Sequence, residues 1–193
     1  ATASEVGTIN GLWANSLGNG GIIPIQTTFF PTNTFLDLKL TGLQGDVMKE
    51  SMNVAKSVAW NLTSNEIKKK WIELFEETKC QGIHIHCPEG SISKDGPSAG
   101  AAITCAIYSL LNNKPIKSTI ALTGEICLSG KITTIGGLEC KITGGIRAGI
   151  TKLLYPSSNH TDFDKWQKSN DKTENIEFIE IQTIKDAIDI VFT

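Results

Sequence analysis

The chain carries almost no net charge: 18 Lys and Arg stand against 20 Asp and Glu, leaving −2 over 193 residues. That balance excludes a broad basic face for nucleic acid or an anionic membrane surface. No apolar run approaches the roughly 20 residues a membrane helix needs, and the N-terminal stretch is polar and broken by glycines, unlike a signal peptide. Histidine is scarce, confined to His84, His86 and His160, and neither CxxC nor HExxH occurs, so a structural or catalytic metal has no ligand framework. His84 and His86 alternate on one predicted strand near Cys80 and Cys87, but a third and fourth ligand with supporting spacing are missing. The five cysteines (Cys80, Cys87, Cys105, Cys127, Cys140) are odd in number and lack scaffold-like spacing. Several sit at apolar positions, as buried free thiols do, which points to a reducing intracellular compartment. Without a secretory route, the sequons at Asn61-Leu62-Thr63 and Asn159-His160-Thr161 carry no meaning. Gly124 to Lys131 fails as a phosphate loop, with an extra residue between its glycines and Ile132 where Ser or Thr should hold magnesium. No internal repeat or low-complexity linker divides the chain, and its length suits one domain with a sizeable core.

What is present is alternating α and β pattern. Val6–Trp13 and Ile22–Phe30 read as strands joined through Gly18-Asn19-Gly20-Gly21, and Phe35–Leu40 alternates with Leu36, Leu38 and Leu40 on one face. A helix opens at Gly45-Asp46 with Met48, Met52, Ala55 and Ala59 along one stripe. Ser64 caps another that shows Ile67, Trp71, Leu74 and Phe75 to the core and a lysine–glutamate face to water. Ile83–Cys87 is a strand, and an apolar helix runs from about Pro97 to Leu111. Thr119–Thr123 and Lys131–Ile135 are strands around Leu128-Ser129-Gly130. A helix through Lys141 precedes strands at Leu153–Tyr155 and Ile176–Ile181, with a loop and short helix between them, and Thr183–Phe192 closes the chain as an amphipathic helix. The fold class is α/β (α+β): one domain over residues 1–193, mixed β-sheet covered by helices.

Chemistry concentrates at Pro88-Glu89-Gly90-Ser91-Ile92-Ser93-Lys94-Asp95-Gly96-Pro97-Ser98-Ala99-Gly100. The segment sets Ser98 in a tight Gly/Pro loop where an apolar helix begins, beside the free amides of its first turn, which can hold a developing oxyanion. A serine hydroxyl needs a base. No histidine is well placed by sequence; Lys141, following Gly136-Gly137-Leu138 in the first turns of the next helix, is the better candidate. To accept a proton it must be neutral. Lowering a lysine from about 10.4 to about 7.5 takes roughly 4 kcal/mol, which desolvation supplies and nearby carboxylates oppose. Leu138, Ile142 and Ile146 recur around Lys141 at helical spacing, while Glu139 falls on another face.

Asp95-Gly-Pro-Ser-Ala-Gly100, Thr123-Gly-Glu-Ile126 and Gly136-Gly-Leu-x-x-Lys141, with Gly45-Asp46-Val47-Met48-Lys49-Glu50-Ser51 and His84-Ile85-His86 before Pro88-Glu89-Gly90, resemble the proteolytic domain of Lon proteases. The resemblance runs from about Gly7 to the C-terminal helix. A serine at a helix start is ordinarily a cap and a helical lysine ordinarily a surface group; what sets these aside is the family's order and spacing. The resemblance implies a Ser98/Lys141 dyad, a recognised variant of the serine triad. Thr123 then bonds and aims the lysine, and amides of Ser98 and near Gly136 form the oxyanion hole. Asp95 is a candidate cap for the helix behind Ser98; reaching Lys141 instead, its carboxylate would hold the amine charged and the site off. A structure keeping the two beyond bonding distance in every state would exclude that switch. Glu89, His84 and His86 are expected to line or buttress the site.

The family likeness further implies a serine endopeptidase acting on unfolded or damaged polypeptides, hexameric and fed by an ATP-driven unfoldase in a longer protein, in the cytoplasm or mitochondrial matrix. ATP and magnesium would belong to that ATPase, which with the N-terminal substrate-binding domain is absent from this chain; the proteolytic domain itself would need no cofactor or metal. Two departures stand out. The family's Gly-Leu-Ala-Trp is here Gly11-Leu12-Trp13-Ala14, and the small pair after the lysine is Gly144-Gly145, which loosens the helix or lets it pack closely on backbone. Alternatives are a birnavirus-like polyprotein-processing Ser/Lys protease and a non-proteolytic Lon-like domain serving assembly or nucleic-acid binding. The intact Thr123-Gly-Glu and Gly136-Gly-Leu segments favour the first reading over the viral one. Retention of both dyad members without a basic surface disfavours the non-proteolytic one.

Overall fold

Period-two patterning produces the strands and period-3.6 patterning the helices. In chain order, the computed structural model places β1 (Ser4–Val6), β2 (Thr8–Ala14), β3 (Gly20–Phe30), β4 (Leu38–Gly42), α1 (Asp46–Leu62), α2 (Asn65–Thr78) and β5 (Gly82–Cys87). After these come α3 (Gly100–Asn112), β6 (Pro115–Lys117), β7 (Ile120–Leu122), β8 (Glu125–Ile126), β9 (Ile132–Thr133), α4 (Leu138–Arg147), β10 (Lys152–Pro156), α5 (His160–Ser169), β11 (Glu177–Ile181) and α6 (Ile184–Val191). The structure describes residues 3–42, 45–88, 97–170 and 175–192.

Seven strands form one mixed sheet in the order β11-β10-β7-β2-β3-β5-β4. The pairs β11/β10, β10/β7, β7/β2 and β5/β4 are parallel, and β3 is antiparallel to both of its neighbours. Alternation divides the apolar residues between two layers. Ile9, Ile25, Ile85 and Leu154 meet α1, α3 and α6 in the larger core; Leu12, Ala121, Leu153 and Tyr155 meet α4 and α5 in the smaller one. The α1 stripe of Met48, Met52, Ala55 and Ala59 is buried as its spacing predicts. The Ser64 hydroxyl accepts from the Ile67 amide at 3.3 Å and caps α2.

Several boundaries differ from the sequence expectation; the strand expected over Lys131–Ile135, for one, is only Ile132–Thr133. The first strand breaks at Gly7, whose φ of 80° turns the chain between β1 and β2. β1 then pairs with β6, a short Pro-led segment that patterning had not marked as a strand. Phe35–Leu40 enters the sheet only at Leu38, because Leu36 takes φ 55° in a turn closed by the Asp37 amide on the Thr34 carbonyl (3.1 Å). Pro97–Ala99 is a 3₁₀ turn, and the α-helix starts one residue later at Gly100. α2 leans on the larger core less fully than its stripe suggested: Phe75 is buried, while Ile67, Trp71 and Leu74 are half-exposed.

Candidate active site

The 3₁₀ turn delivers Ser98 to the mouth of α3, and the backbone of Gly124 holds it there. The Gly124 amide donates to the Ser98 carbonyl, and the Ala101 amide donates to the Gly124 carbonyl, both at 3.0 Å. A side chain at position 124 would place its Cβ 2.6 Å from Ile132 Cγ2, so glycine is what lets Ile132 of β9 pack against this segment. One residue earlier, Thr123 is fully buried, its amide bonded to the Leu154 carbonyl at 3.1 Å. The end of β7 thereby positions both the serine turn and the Thr123 hydroxyl.

Lys141 arrives from the opposite side. α4 begins after Gly137, whose φ of 68° is left-handed and whose Cβ would lie 2.6 Å from the Ala14 Cβ. The helix then sits almost directly on the β2–β3 backbone. A Cβ at Gly144 would be 2.3 Å from the Gly20 carbonyl carbon and the Gly21 amide nitrogen. The glycine pair therefore serves close packing. Lys141 is 3% exposed, and its Nζ donates to Thr123 Oγ1 at 3.2 Å. Burial lowers its pKa from the usual 10.5 to about 8. No ion pair to Lys141 occurs among the described residues, so nothing there opposes that desolvation. Leu138 and Ile142 supply the dry surroundings, but Ile146 does not: it is 39% exposed, since one more helical turn carries it past the sheet.

Ser98 and Lys141 line one cleft of about 560 Å³ together with Met48, Trp13, Ala14 and the segment Thr134–Gly137. Gly136 is therefore at the site with the dyad candidates. His84 and His86 are not among the cleft-lining residues. They point from β5 to the side away from Ile83, Ile85 and Cys87, and both ring systems bond Thr41 Oγ1 on β4, at 2.8 and 2.7 Å. His84 is held below its ordinary pKa by burial, then by Lys39 and His86. Asp95 and Glu89 lie outside the described residues. Sequence reasoning missed Asn159, a 1%-exposed side chain that bonds both backbone groups of Ile135. Its only sequence mark was a sequon, which says nothing about burial.

A buried amine bonded to a threonine shares this cleft with a helix-mouth serine. A profile of the Lon protease (S16) C-terminal proteolytic domain matches residues 1–193. A Lon protease homolog of Acanthamoeba polyphaga mimivirus is 40% identical over 191 residues, covering 96% of this chain and 18% of that protein. The Lon protease of Methanosphaera stadtmanae is 42% identical over 158 residues (82% of this chain, 18% of its own length). That of Fusobacterium nucleatum is 39% identical over 189 residues (97% and 23%). The chain belongs to the Lon C-terminal proteolytic domain family, and it spans about a fifth of the length of these relatives.

Proposed function

We propose that the domain is a serine endopeptidase whose nucleophile is Ser98 and whose general base is Lys141. The observation that carries this reading is the lysine: an amine buried to 3% exposure, shifted to about 8 and bonded to Thr123 in the cleft that Ser98 enters. Neutral Lys141 takes the Ser98 proton as Oγ attacks the scissile carbonyl, and the resulting oxyanion is held by amides of Ser98 and Gly136. The protonated amine then passes that proton to the departing amide nitrogen. Water, deprotonated by Lys141 in turn, releases the acyl group from Ser98. Thr123 orients the lone pair, since its hydroxyl can accept from Nζ only while Nζ keeps a hydrogen directed at it.

Within the longer protein, substrates would be unfolded or damaged chains delivered by an ATP-driven unfoldase, in a hexamer within a reducing compartment. ATP and magnesium would bind that module and not this domain, and no nucleic acid or membrane is required. The test is labelling of the native chain with a serine-directed phosphonate, followed by peptide mapping. Modification at Ser98, lost in Ser98→Ala and at least a hundredfold slower in Lys141→Ala with both variants folded, is the expected result. Labelling that persists in Ser98→Ala would overturn the dyad.

A further inference from the structure

His160, the first residue of α5, has a carboxylate on each ring nitrogen. Nδ1 bonds Glu180 Oε1 on β11, and Nε2 lies 3.2 Å from Asp164 Oδ2, one turn along its own helix. A carboxylate only accepts, so both nitrogens must carry a proton; the neutral ring has a single N–H. The contacts therefore describe an imidazolium. Glu180 Oε1 also accepts from the Tyr155 hydroxyl on β10 at 3.0 Å, while Asp162 on α5 takes Asn159 Nδ2 at 2.8 Å. Among the described ion pairs no lysine or arginine joins this cluster, since Lys152 pairs with Glu177 at 3.9 Å. A helix N-terminus disfavours a cation, so the carboxylates alone make the charged ring favourable there.

The residue before His160 shows what this cluster holds. Asn159 ends the 3₁₀ turn Ser157–Asn159 that leads into α5. Its Oδ1 accepts from the Ile135 amide at 3.0 Å, and its Nδ2 donates to the Ile135 carbonyl at 2.8 Å. We infer that the first turn of α5 is a proton-operated clasp: charged His160 fastens it to β11, and losing one ring proton loosens the turn together with the Asn159 hold on Ile135. The neutral ring keeps one N–H and turns a lone pair toward the other carboxylate, so one of its two contacts is lost. The sign follows from the contacts. The Glu180 hydrogen bond first, then the charges of Asp164 and Glu180, raise His160 above its usual 6.5. The clasp is thus complete below pH 6.5 and opens as pH rises through the raised value. Ile135 lines the cleft with Ser98 and Lys141, so the device acts on a wall of that cleft without touching it directly. The inference needs no assumption about catalysis.

The experiment is an NMR titration of the native chain between about pH 5.5 and about pH 8, reading the His160 ring proton and hydrogen exchange at the Ile135 amide. His160 should titrate above its ordinary value, and Glu180→Gln and Asp164→Asn should each bring it down. The Ile135 protection factor, corrected for the intrinsic exchange rate, should fall about fivefold as pH passes the His160 midpoint. The Thr123 amide, bonded to the Leu154 carbonyl, is the reference and should show no step. In His160→Gln, Ile135 protection should be low at both ends of the range. His160→Arg, a permanent cation whose fork suits two carboxylates, should keep it high at both. Flat Ile135 protection across the midpoint in the native chain, or a midpoint at or below the ordinary value, overturns the clasp even if a variant fails to fold. Equal steps at Ile135 and Thr123 would overturn it too, because the whole domain would then be responding.

Discussion

At the scale of single residues, Lys141 carries both the proposed chemistry and a cost in stability. A lysine whose pKa falls from 10.5 to about 8 on folding gives up about 3 kcal/mol of stability wherever both states are protonated. The unfolded chain binds the extra proton between about pH 8 and pH 10.5, so stability rises with pH across that window and the penalty is full below it. Lys141→Met, a neutral chain of similar length, should therefore be more stable than the native domain by up to about 3 kcal/mol at pH 7. By pH 10.5 that advantage should have gone, as chemical denaturation at both pH values would show. In the active domain kcat/KM should climb through about pH 8 and level off above it, because only the free amine accepts the serine proton. A pH-independent difference in stability would mean the lysine is not desolvated. The need for a dry lysine followed from Leu138 and Ile142; its partner Thr123 was reached only by family likeness, since a threonine at a strand end has no pattern of its own. Asn159 was invisible for a related reason: a polar side chain that replaces a strand partner leaves no periodicity.

At the scale of elements, the placement of α4 decides the site. Helix and strand existence was readable almost throughout, because two buried faces impose two clear periods. Boundaries were less so where backbone torsion overrode pattern, as at Gly7 and Leu36, or where Pro97 began a 3₁₀ turn ahead of α3. The glycine pair in α4 looked ambiguous between looseness and close packing until its neighbours were known. The two members differ in what surrounds them. A methyl at Gly144 meets backbone of Gly20 and Gly21 at 2.3 Å, whereas one at Gly145 meets the side-chain end of Leu153 at 3.2 Å. Gly144→Ala must therefore lift α4 off the sheet, at a cost of about 1–3 kcal/mol. It should also carry Lys141 away from Thr123, and a displacement near 1 Å can lower kcat on the order of a hundredfold. Gly145→Ala should change stability by less than about 1 kcal/mol in either direction, its helix-propensity gain offsetting a small shift of Leu153. Thermal unfolding and peptide hydrolysis on the pair separate the two effects; equal behaviour would mean α4 has slack that its contacts deny.

At the scale of the whole molecule, a cleft of about 560 Å³ cannot take a folded domain. Gly124 to Lys131, the stretch nearest to a nucleotide loop in sequence, is built as the β8–β9 hairpin, with the Cys127 amide on the Lys131 carbonyl at 2.9 Å. Energy for unfolding a substrate must then come from the substrate's own fluctuations when this chain acts alone. Small domains are stable by about 5–15 kcal/mol, so their open fraction is minute, and every 1.4 kcal/mol of added stability reduces it tenfold. The chain should accordingly hydrolyse casein and short peptides and leave a stable domain intact. Across a series of destabilised variants of one small domain, its initial cleavage rate should fall about tenfold for each 1.4 kcal/mol of stability restored, with or without ATP. Opening and closing faster than cleavage makes the rate follow the open population. Cleavage of the stable and destabilised variants at one rate, or acceleration by ATP, would show that the domain itself performs mechanical work on its substrate.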